Sequence, residues 1–324
     1  MTHAIRIHQT GGPEVLQWEA VEVGKPKPGE IRIRHTAVGL NYIDTYHRTG
    51  AYPIQTPATP GLEAAGVIEE LGSGVTELKI GDRVAYASPP MGAYAEARLM
   101  PADRVVKVPD GITDVQAASM MLKGMTAEYL LRRTFTVKAG DTILVHAAAG
   151  GVGLILCQWA KHIGATVIGT AGDEHKAKLA KAHGCDHVIL YRSEDFVPKV
   201  AEITGGKKCA VVYDGVGKDT FSKSLDCLKP LGMMVAYGAA SGPVAPLDVG
   251  ILATKGSLFV TRPTLTTYIA QRGDLVKSAN ALFDVVLKGA VKLEVNQTYP
   301  LKNAAQAHRD LEARKTTGST VFAV

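Results

Sequence analysis

The stretch Thr142-Ile-Leu-Val-His-Ala-Ala-Ala-Gly-Gly-Val-Gly-Leu154 decides the fold. Apolar and β-branched residues run into a turn of small residues, and an apolar helical pattern, Val152–His162, follows. Gly150 and Gly153 take the last two glycine positions of a G-x-G-x-x-G fingerprint, with Ala148 at the first. Gly150 lets the backbone approach a pyrophosphate, and Gly153 lets the helix pack close to the sheet. The helix N-terminus, with Gly151 and Val152, offers N–H donors to phosphate oxygens. A glycine pattern alone is weak evidence; lying between a strand and a helix, it predicts a dinucleotide site. Thr142 to Ala160 holds no Asp, Glu, Lys or Arg over 19 residues, a length that would allow a membrane span. His146, Gln158 and the three glycines favour a strand, a turn and a buried helix instead.

Outward from this stretch the pattern repeats. Strands are expected at Thr166–Thr170, His187–Tyr191, Cys209–Asp214, Met233–Gly238 and Ser257–Thr261. Helices are expected at Asp173–His183, Glu194–Thr204 and Thr220–Leu228, with another over Gln116–Arg133. Such alternation predicts βαβ units in a doubly wound parallel sheet, a Rossmann domain over residues 125–264. The first third differs. Ala4–His8 and Ile31–Arg34 alternate apolar and polar residues, and many short strands with tight turns predict a barrel-like or sandwich unit. After a helix near Leu275–Lys288, the tail from Glu294 does not extend the βαβ rhythm. It is assigned back to the first domain, which becomes discontinuous (1–124 and 265–324).

The second strand of the Rossmann pattern bears on the cofactor. An NAD site normally carries an acid there for the ribose 2′-OH. This chain has Thr170-Ala171-Gly172-Asp173, with Lys176 in the next turn and Tyr191-Arg192 ending the third strand. Those cations suit a 2′-phosphate, so NADPH is expected rather than NADH. Asp173 can equally be a helix N-cap. By the rule that ligands sit at carboxyl ends of parallel strands, Gly238, Ala239 and Ser241 are candidates, as are Phe259, Val260 and Thr261. Arg262 suits either a phosphate contact or a loop-stabilising role.

The 324 residues suit about two domains at roughly 150 residues each. With 46% hydrophobic and 21% charged residues, disorder and a disulfide scaffold are disfavoured. A net charge of +5 suits an anionic ligand, but the Lys and Arg residues form no block of the kind that binds nucleic acid. Cys157, Cys185, Cys209 and Cys227 are at least 18 residues apart, so no CxxC pair exists. They read as free thiols in a reducing cytoplasm, and the N-terminus lacks an apolar signal core. His183, Cys185 and His187 straddle a turn and read as incidental donors in an exposed loop rather than a metal site. His146 reads as a packed or hydrogen-bonded structural histidine.

At Gly11-Gly-Pro-Glu-Val-Leu, Asn41-Tyr-Ile-Asp-Thr-Tyr, Gly61-Leu-Glu-Ala-Ala-Gly, Lys123-Gly-Met-Thr, His146-Ala-Ala-Ala-Gly-Gly-Val-Gly, Tyr213-Asp-Gly-Val-Gly and Val260-Thr-Arg-Pro, the chain resembles the medium-chain dehydrogenase/reductase superfamily. It is most similar to the zinc-free NADPH:quinone oxidoreductases, the zeta-crystallin-like branch. The resemblance implies an α/β protein with a GroES-like catalytic domain, a Rossmann domain and a cleft between them. It implies NADPH-dependent quinone reduction, commonly in one-electron steps giving semiquinone. It also implies oligomers, and a homodimer through the sheet edge near Gly256–Thr261 is expected. In zinc-dependent relatives, ligands stand at the positions of Asn41, Leu62 and Lys123. Neither Leu nor Lys serves as a normal Zn²⁺ ligand in such a site, so no metal is expected and alcohol oxidation is disfavoured.

Reducing a quinone requires position, an apolar wall and hydrogen-bond donors more than a catalytic triad. Asn41, Tyr46 and Tyr52 are the catalytic candidates: an amide where a ligand would be, and two rings that stack on a flat acceptor or donate O–H. Thr126 heads the helical segment Thr126–Arg133 and is assigned to the nicotinamide, with Tyr129 one turn on. The resemblance places the tail near Thr317 over the nicotinamide. Two other readings stand: NADPH-dependent enone or alkenal double-bond reduction, and an RNA-binding or structural role known among zeta-crystallin-like proteins. No RNP-type aromatic motif or Arg-rich segment supports the latter.

Overall fold

The computed structural model describes residues 2–324. The chain divides into two compact units. The first comprises the described residues through Met125 together with Ile269–Leu287 and Leu293–Val324. The second comprises Thr126–Tyr268 and Lys288–Lys292.

In chain order, the first unit opens with β1 (Thr2–Arg6), β2 (Gln17–Val21) and β3 (Glu30–Leu40). Helix α1 (Tyr42–Thr49) follows, then β4 (Glu63–Leu71), β5 (Arg83–Ala87), β6 (Ala97–Pro101) and β7 (Val106–Lys107). Helix α2 (Asp114–Tyr129) runs into the second unit: β8 (Thr142–Val145), α3 (Gly151–Ile163), β9 (Thr166–Ala171), α4 (Glu174–Ala182), β10 (His187–Leu190), α5 (Phe196–Ile203), β11 (Cys209–Asp214), α6 (Phe221–Ser224), β12 (Leu228–Ala236), α7 (Gly250–Thr254), β13 (Phe259–Thr261) and α8 (Leu265–Tyr268). The tail adds α9 (Arg272–Leu287), β14 (Val295–Pro300), α10 (Ala304–Glu312) and β15 (Ser319–Ala323).

The first unit is built on β3. It pairs antiparallel with β4, β6 and β15, and the sheet runs β14-β15-β3-β4-β5-β7. The eleven-residue β3 can serve both sides because its inward positions, Ile31, Ile33 and Val38, are fully buried against Ile68, Tyr86, Met100 and Phe322. The tail thus closes the sheet begun by the first third of the chain: Phe322 sits opposite Val38.

The second unit is a parallel sheet in the order β10-β9-β8-β11-β12-β13. The chain starts in the middle at β8, winds outward to β10, then returns and winds the other way. The order reverses between β8 and β11, and ligands of open α/β sheets bind at such a switch point. Leu144, Ile168, Val212 and Met234 form the buried core of this unit with Phe196 and Phe221. The tip of α8 belongs here because Tyr268 stacks on Tyr129 with centroids 4.3 Å apart, and Arg133 lies over the Tyr268 ring.

The turn with His183, Cys185 and His187 differs from the expected exposed loop. His183 and Cys185 are buried; Cys185 Sγ lies 3.4 Å from Cys157 Sγ on α3, and the His183 imidazole bonds the Leu179 carbonyl. Gly184, at φ +97, packs a would-be Cβ only 2.8 Å from the Cys157 carbonyl, which draws the turn inward. All four cysteines are free and buried. Among the described residues no helix is long and apolar enough to cross a membrane.

Candidate active site

In the second unit the glycine turn leads from the carboxyl end of β8 into α3. Ala147 adopts φ +54, a conformation that non-glycine residues rarely take. A Cβ at Gly153 would lie 2.4 Å from the Ala147 carbonyl oxygen, so only glycine allows this approach. Helix α3 begins at N-cap Gly150 with no side-chain cap, whereas the Asp173 carboxylate caps α4 and the Asp195 carboxylate caps α5. The first-turn N–H groups of α3, at Gly151, Val152 and Gly153, are therefore left for an anion. His146, just before the turn, is buried and pinned between the Thr170 and Ser224 hydroxyls at 3.1 and 2.8 Å. It is a structural histidine.

At the ends of β9 and β10, a Cβ on Gly172 would meet the Tyr191 hydroxyl at 3.0 Å and Arg192 Nε at 3.5 Å. These three residues therefore cluster, and Lys176 lies in the first turn of α4. Asp173 accepts the Lys176 N–H at 2.9 Å, so its carboxylate is occupied as a cap. Gly238 follows β12, and a Cβ there would meet the Gly215 carbonyl oxygen at 2.4 Å. Ser241 Oγ donates to the Val216 carbonyl and accepts from Asp219 N–H, tying that loop to the one after β11. Ala239 packs against Gly217.

Phe259, Val260 and Thr261 form the edge strand β13 itself, within the strand expected at Ser257–Thr261. Phe259 is 55% exposed, while Val260 packs on the core. Arg262 donates to the Ala236 carbonyl at 2.6 Å. Thr126 does not head a helical segment. It lies buried within α2, one turn before Tyr129, whose hydroxyl burial pushes well above its ordinary pKa.

In the first unit, Asn41 is the buried N-cap of α1. Its backbone N–H donates to Asp44 Oδ2 at 2.9 Å, the Asn-x-x-Asp spacing of a capping box. Its amide Nδ2 donates to Glu63 Oε2 at 2.7 Å. Tyr46, on the same helix, packs against Tyr52 at 5.1 Å and Tyr42 at 5.5 Å. These rings are half-buried or, for Tyr52, exposed. Thr317 is buried elsewhere in this unit, accepting from Asn296 Nδ2 at 2.9 Å beside the left-handed Gly318.

Sequence reasoning gave Lys123 only as a lost zinc-ligand position and did not reach the hydrogen-bonded groups beneath Asn41. Glu63 is fully buried and saturated: Oε1 accepts from Leu122 N–H at 2.8 Å, and Oε2 accepts from Asn41 and from Lys123 Nζ at 3.2 Å. Asp44 Oδ2 also accepts from the Tyr94 hydroxyl at 2.9 Å. That hydroxyl lies 3.0 Å from His308 Nε2, and His308 Nδ1 lies 3.2 Å from Arg48 Nη1. Arginine can only donate, so the His308 proton sits on Nε2 and points at Tyr94. Arg48 pairs doubly with Glu312 at 2.7 and 2.9 Å. Asp44 Oδ1 is buried without a hydrogen-bond partner. Burial raises the Asp44 carboxyl to about 7, against the opposing Asn41 and Tyr94 hydrogen bonds. Burial, aided by Arg48, lowers His308 to about 3.

Among the described residues no group of three or more His, Cys, Asp or Glu side chains is placed to hold a metal ion. Residues 27–110 match a family described as an alcohol dehydrogenase GroES-like domain, and residues 151–279 match one described as a zinc-binding dehydrogenase. A quinone oxidoreductase of Pseudomonas aeruginosa is 50% identical over 323 residues, with 99% of each chain covered. The chain belongs to the quinone oxidoreductase family. The Escherichia coli quinone oxidoreductase, solved in complex with NADPH, superposes with a TM-score of 0.98 at 48% identity and full coverage of both chains. A 2-haloacrylate reductase of a Burkholderia species is also 50% identical, over 329 residues and 99% of each chain. The first unit is thus the GroES-like part of a quinone oxidoreductase fold, and the second its Rossmann part.

Proposed function

We propose that this chain reduces quinones with NADPH and needs no metal. The observation that carries the reading is the uncapped α3, entered through a turn that only glycine at position 153 permits. That is a pyrophosphate cradle, and the solved relative named above holds NADPH. When bound, NADPH supplies the reducing hydride; the chain supplies position and electrostatics. The N–H groups of Gly151, Val152 and Gly153 hold the pyrophosphate. Lys176 and Arg192 face the 2′-phosphate, and the Tyr191 ring flanks the adenine. Asp173 is spent on capping α4 rather than on a ribose hydroxyl. Thr126, Tyr129, Gly238, Ala239 and Thr317 belong to the cofactor side of this proposal. Asn41 provides hydrogen bonding to the reacting pair, and Tyr46 and Tyr52 offer an aromatic wall for a flat acceptor. Leu62 and Lys123, at the positions of zinc ligands, offer no donor set for a Lewis acid.

The equally similar 2-haloacrylate reductase favours one second reading, reduction of an activated C=C bond. NADPH oxidation with 1,4-benzoquinone, a naphthoquinone and 2-chloroacrylate separates them. Hydroquinone formation, unaffected by chelator, supports quinone reduction. A saturated product from chloroacrylate, without quinone turnover, replaces it with the second reading.

We also infer a homodimer joined through β13, on the ground that Phe259 is exposed on an unpaired sheet edge. Light scattering on Phe259→Asp checks this, with a monomer expected. Residence in the reducing cytoplasm fits four free, buried thiols.

A further inference from the structure

The buried Glu63–Lys123 pair is not explained by stability. An ion pair taken out of water recovers its desolvation cost only with saturated geometry, and an apolar pair of the same volume is commonly as stable. The pair stands directly under Asn41. Glu63 is hemmed on every side: a Cβ on Gly39 would lie 2.4 Å from its Oε2 and 2.2 Å from the Ala118 carbonyl oxygen. One carboxylate oxygen takes the Leu122 N–H, and the other takes both the Asn41 amide and the Lys123 ammonium. Asn41 is therefore held twice, by its backbone on Asp44 and by its side chain on Glu63. Asp44 and Glu63 are two acids in one dry space, and Lys123 is the cation that acts on both.

We propose that Lys123 is a positioning residue for the reaction: its ammonium fixes Glu63 Oε2, and that oxygen fixes the rotamer of the Asn41 amide assigned to the reacting pair. This inference rests on the reading of Asn41 as a ligand-facing group. Without the ammonium, Oε2 loses one of its two side-chain donors, and the Asn41 amide is no longer held against a fixed oxygen. The charged and titratable groups around the pair are Asp44 and Arg48 on α1, Glu63 on β4, Lys123 on α2, Tyr94, and His308 and Glu312 on α10.

The test uses Lys123→Met and Glu63→Gln, both close in volume and uncharged, together with the double variant. Read-outs are the thermal midpoint, NADPH affinity, kcat and KM for 1,4-benzoquinone across pH, and the Asn41 side-chain amide signal in ¹⁵N-asparagine-labelled protein. Lys123→Met is expected to shift the Asn41 amide signal and lower kcat/KM by about tenfold to a hundredfold, the scale of a small misplacement of a reacting group. The double variant regains the thermal midpoint but not the rate. A Lys123→Met protein with a lower midpoint, yet the parent amide signal, rate and pH profile, would overturn the proposal and leave a merely structural pair. If Lys123→Met does not fold, Glu63→Gln alone decides by the same amide signal and rate. If the parent protein fails to reduce any quinone, the functional reading falls, while the amide signal still reports whether Lys123 holds Asn41.

Discussion

Asp44 is a single buried carboxyl that holds the backbone of Asn41. It accepts from the Asn41 N–H and the Tyr94 hydroxyl through one oxygen, and its other oxygen has no hydrogen-bond partner. Its carboxyl is raised from 3.8 to about 7, so between those values the folded protein holds a proton that the unfolded chain has released. Stability from this group is present at low pH and is lost as pH rises through about 7. Asp44→Asn keeps an acceptor and removes that penalty. The variant should therefore gain on the parent as pH rises from 4 to 8, read by urea unfolding at each pH. At the cofactor, Arg192→Gln should narrow the preference for NADPH over NADH by about tenfold, the worth of one charge-assisted contact of roughly 1.4 kcal/mol, with NADH affinity unchanged.

Helix α3 and the turn before it act as one element. Its apolar face, with Leu154, Leu156 and Cys157 buried, holds the helix on the sheet, so its N-terminus is fixed. Gly153→Ala places a methyl group 2.4 Å from the Ala147 carbonyl oxygen, and either the helix or the turn must move. NADPH affinity should drop at least about tenfold by fluorescence titration, while thermal stability falls by only about 1–3 kcal/mol, as overpacking usually costs. The alternation of strand and helix was readable here because each element carries its own periodicity. The expected bounds of β8, β9 and β11 fall within a residue of those observed. The reading slipped where periodicity is silent. The sequence expectation starts a helical segment at Thr126, yet Thr126 and Gly124 both lie inside α2, where a Cβ on Gly124 would meet Leu282 Cδ1 at 2.4 Å. That glycine is there for close packing, which a local pattern does not reveal.

For the whole molecule, buried histidines weigh on the acid side of the stability profile: His35 and His308 in the first unit, with His47 and His146 lowered by burial in the same direction. His35 donates from Nδ1 to the Ala95 carbonyl and accepts the Tyr86 hydroxyl, and burial lowers it to about 4. His308 is lowered to about 3, chiefly by burial. Below about 6.5 the unfolded chain protonates both while the folded protein does not, so stability falls as pH drops. Asp44 opposes this between about 4 and 7, but two groups outweigh one. Unfolding free energy should therefore rise with pH from 4 to 6.5, and His308→Gln should flatten the slope, as measured by denaturant midpoints.

The two-domain plan, the dinucleotide turn and the lack of zinc ligands at Leu62 and Lys123 all follow from the sequence. Each depends on residue type at short spacing: a strand, a glycine pattern and a helix within thirteen residues, or a side chain with no metal-binding atom. The Asn41-x-x-Asp44 cap emerged only with the structure. Tertiary structure alone brought Glu63, Lys123, Tyr94 and His308 beneath that cap. Glu63 and Lys123 are 60 positions apart, and Tyr94 and His308 are 214 apart, so no local period links them. Their meeting depends on the tail strand β15 pairing with β3 and on α2 packing over Gly39, contacts made by shape and burial across the fold. The same holds for Asp173, whose role as a cap rather than a ribose ligand was open until its carboxylate was seen on the Lys176 N–H.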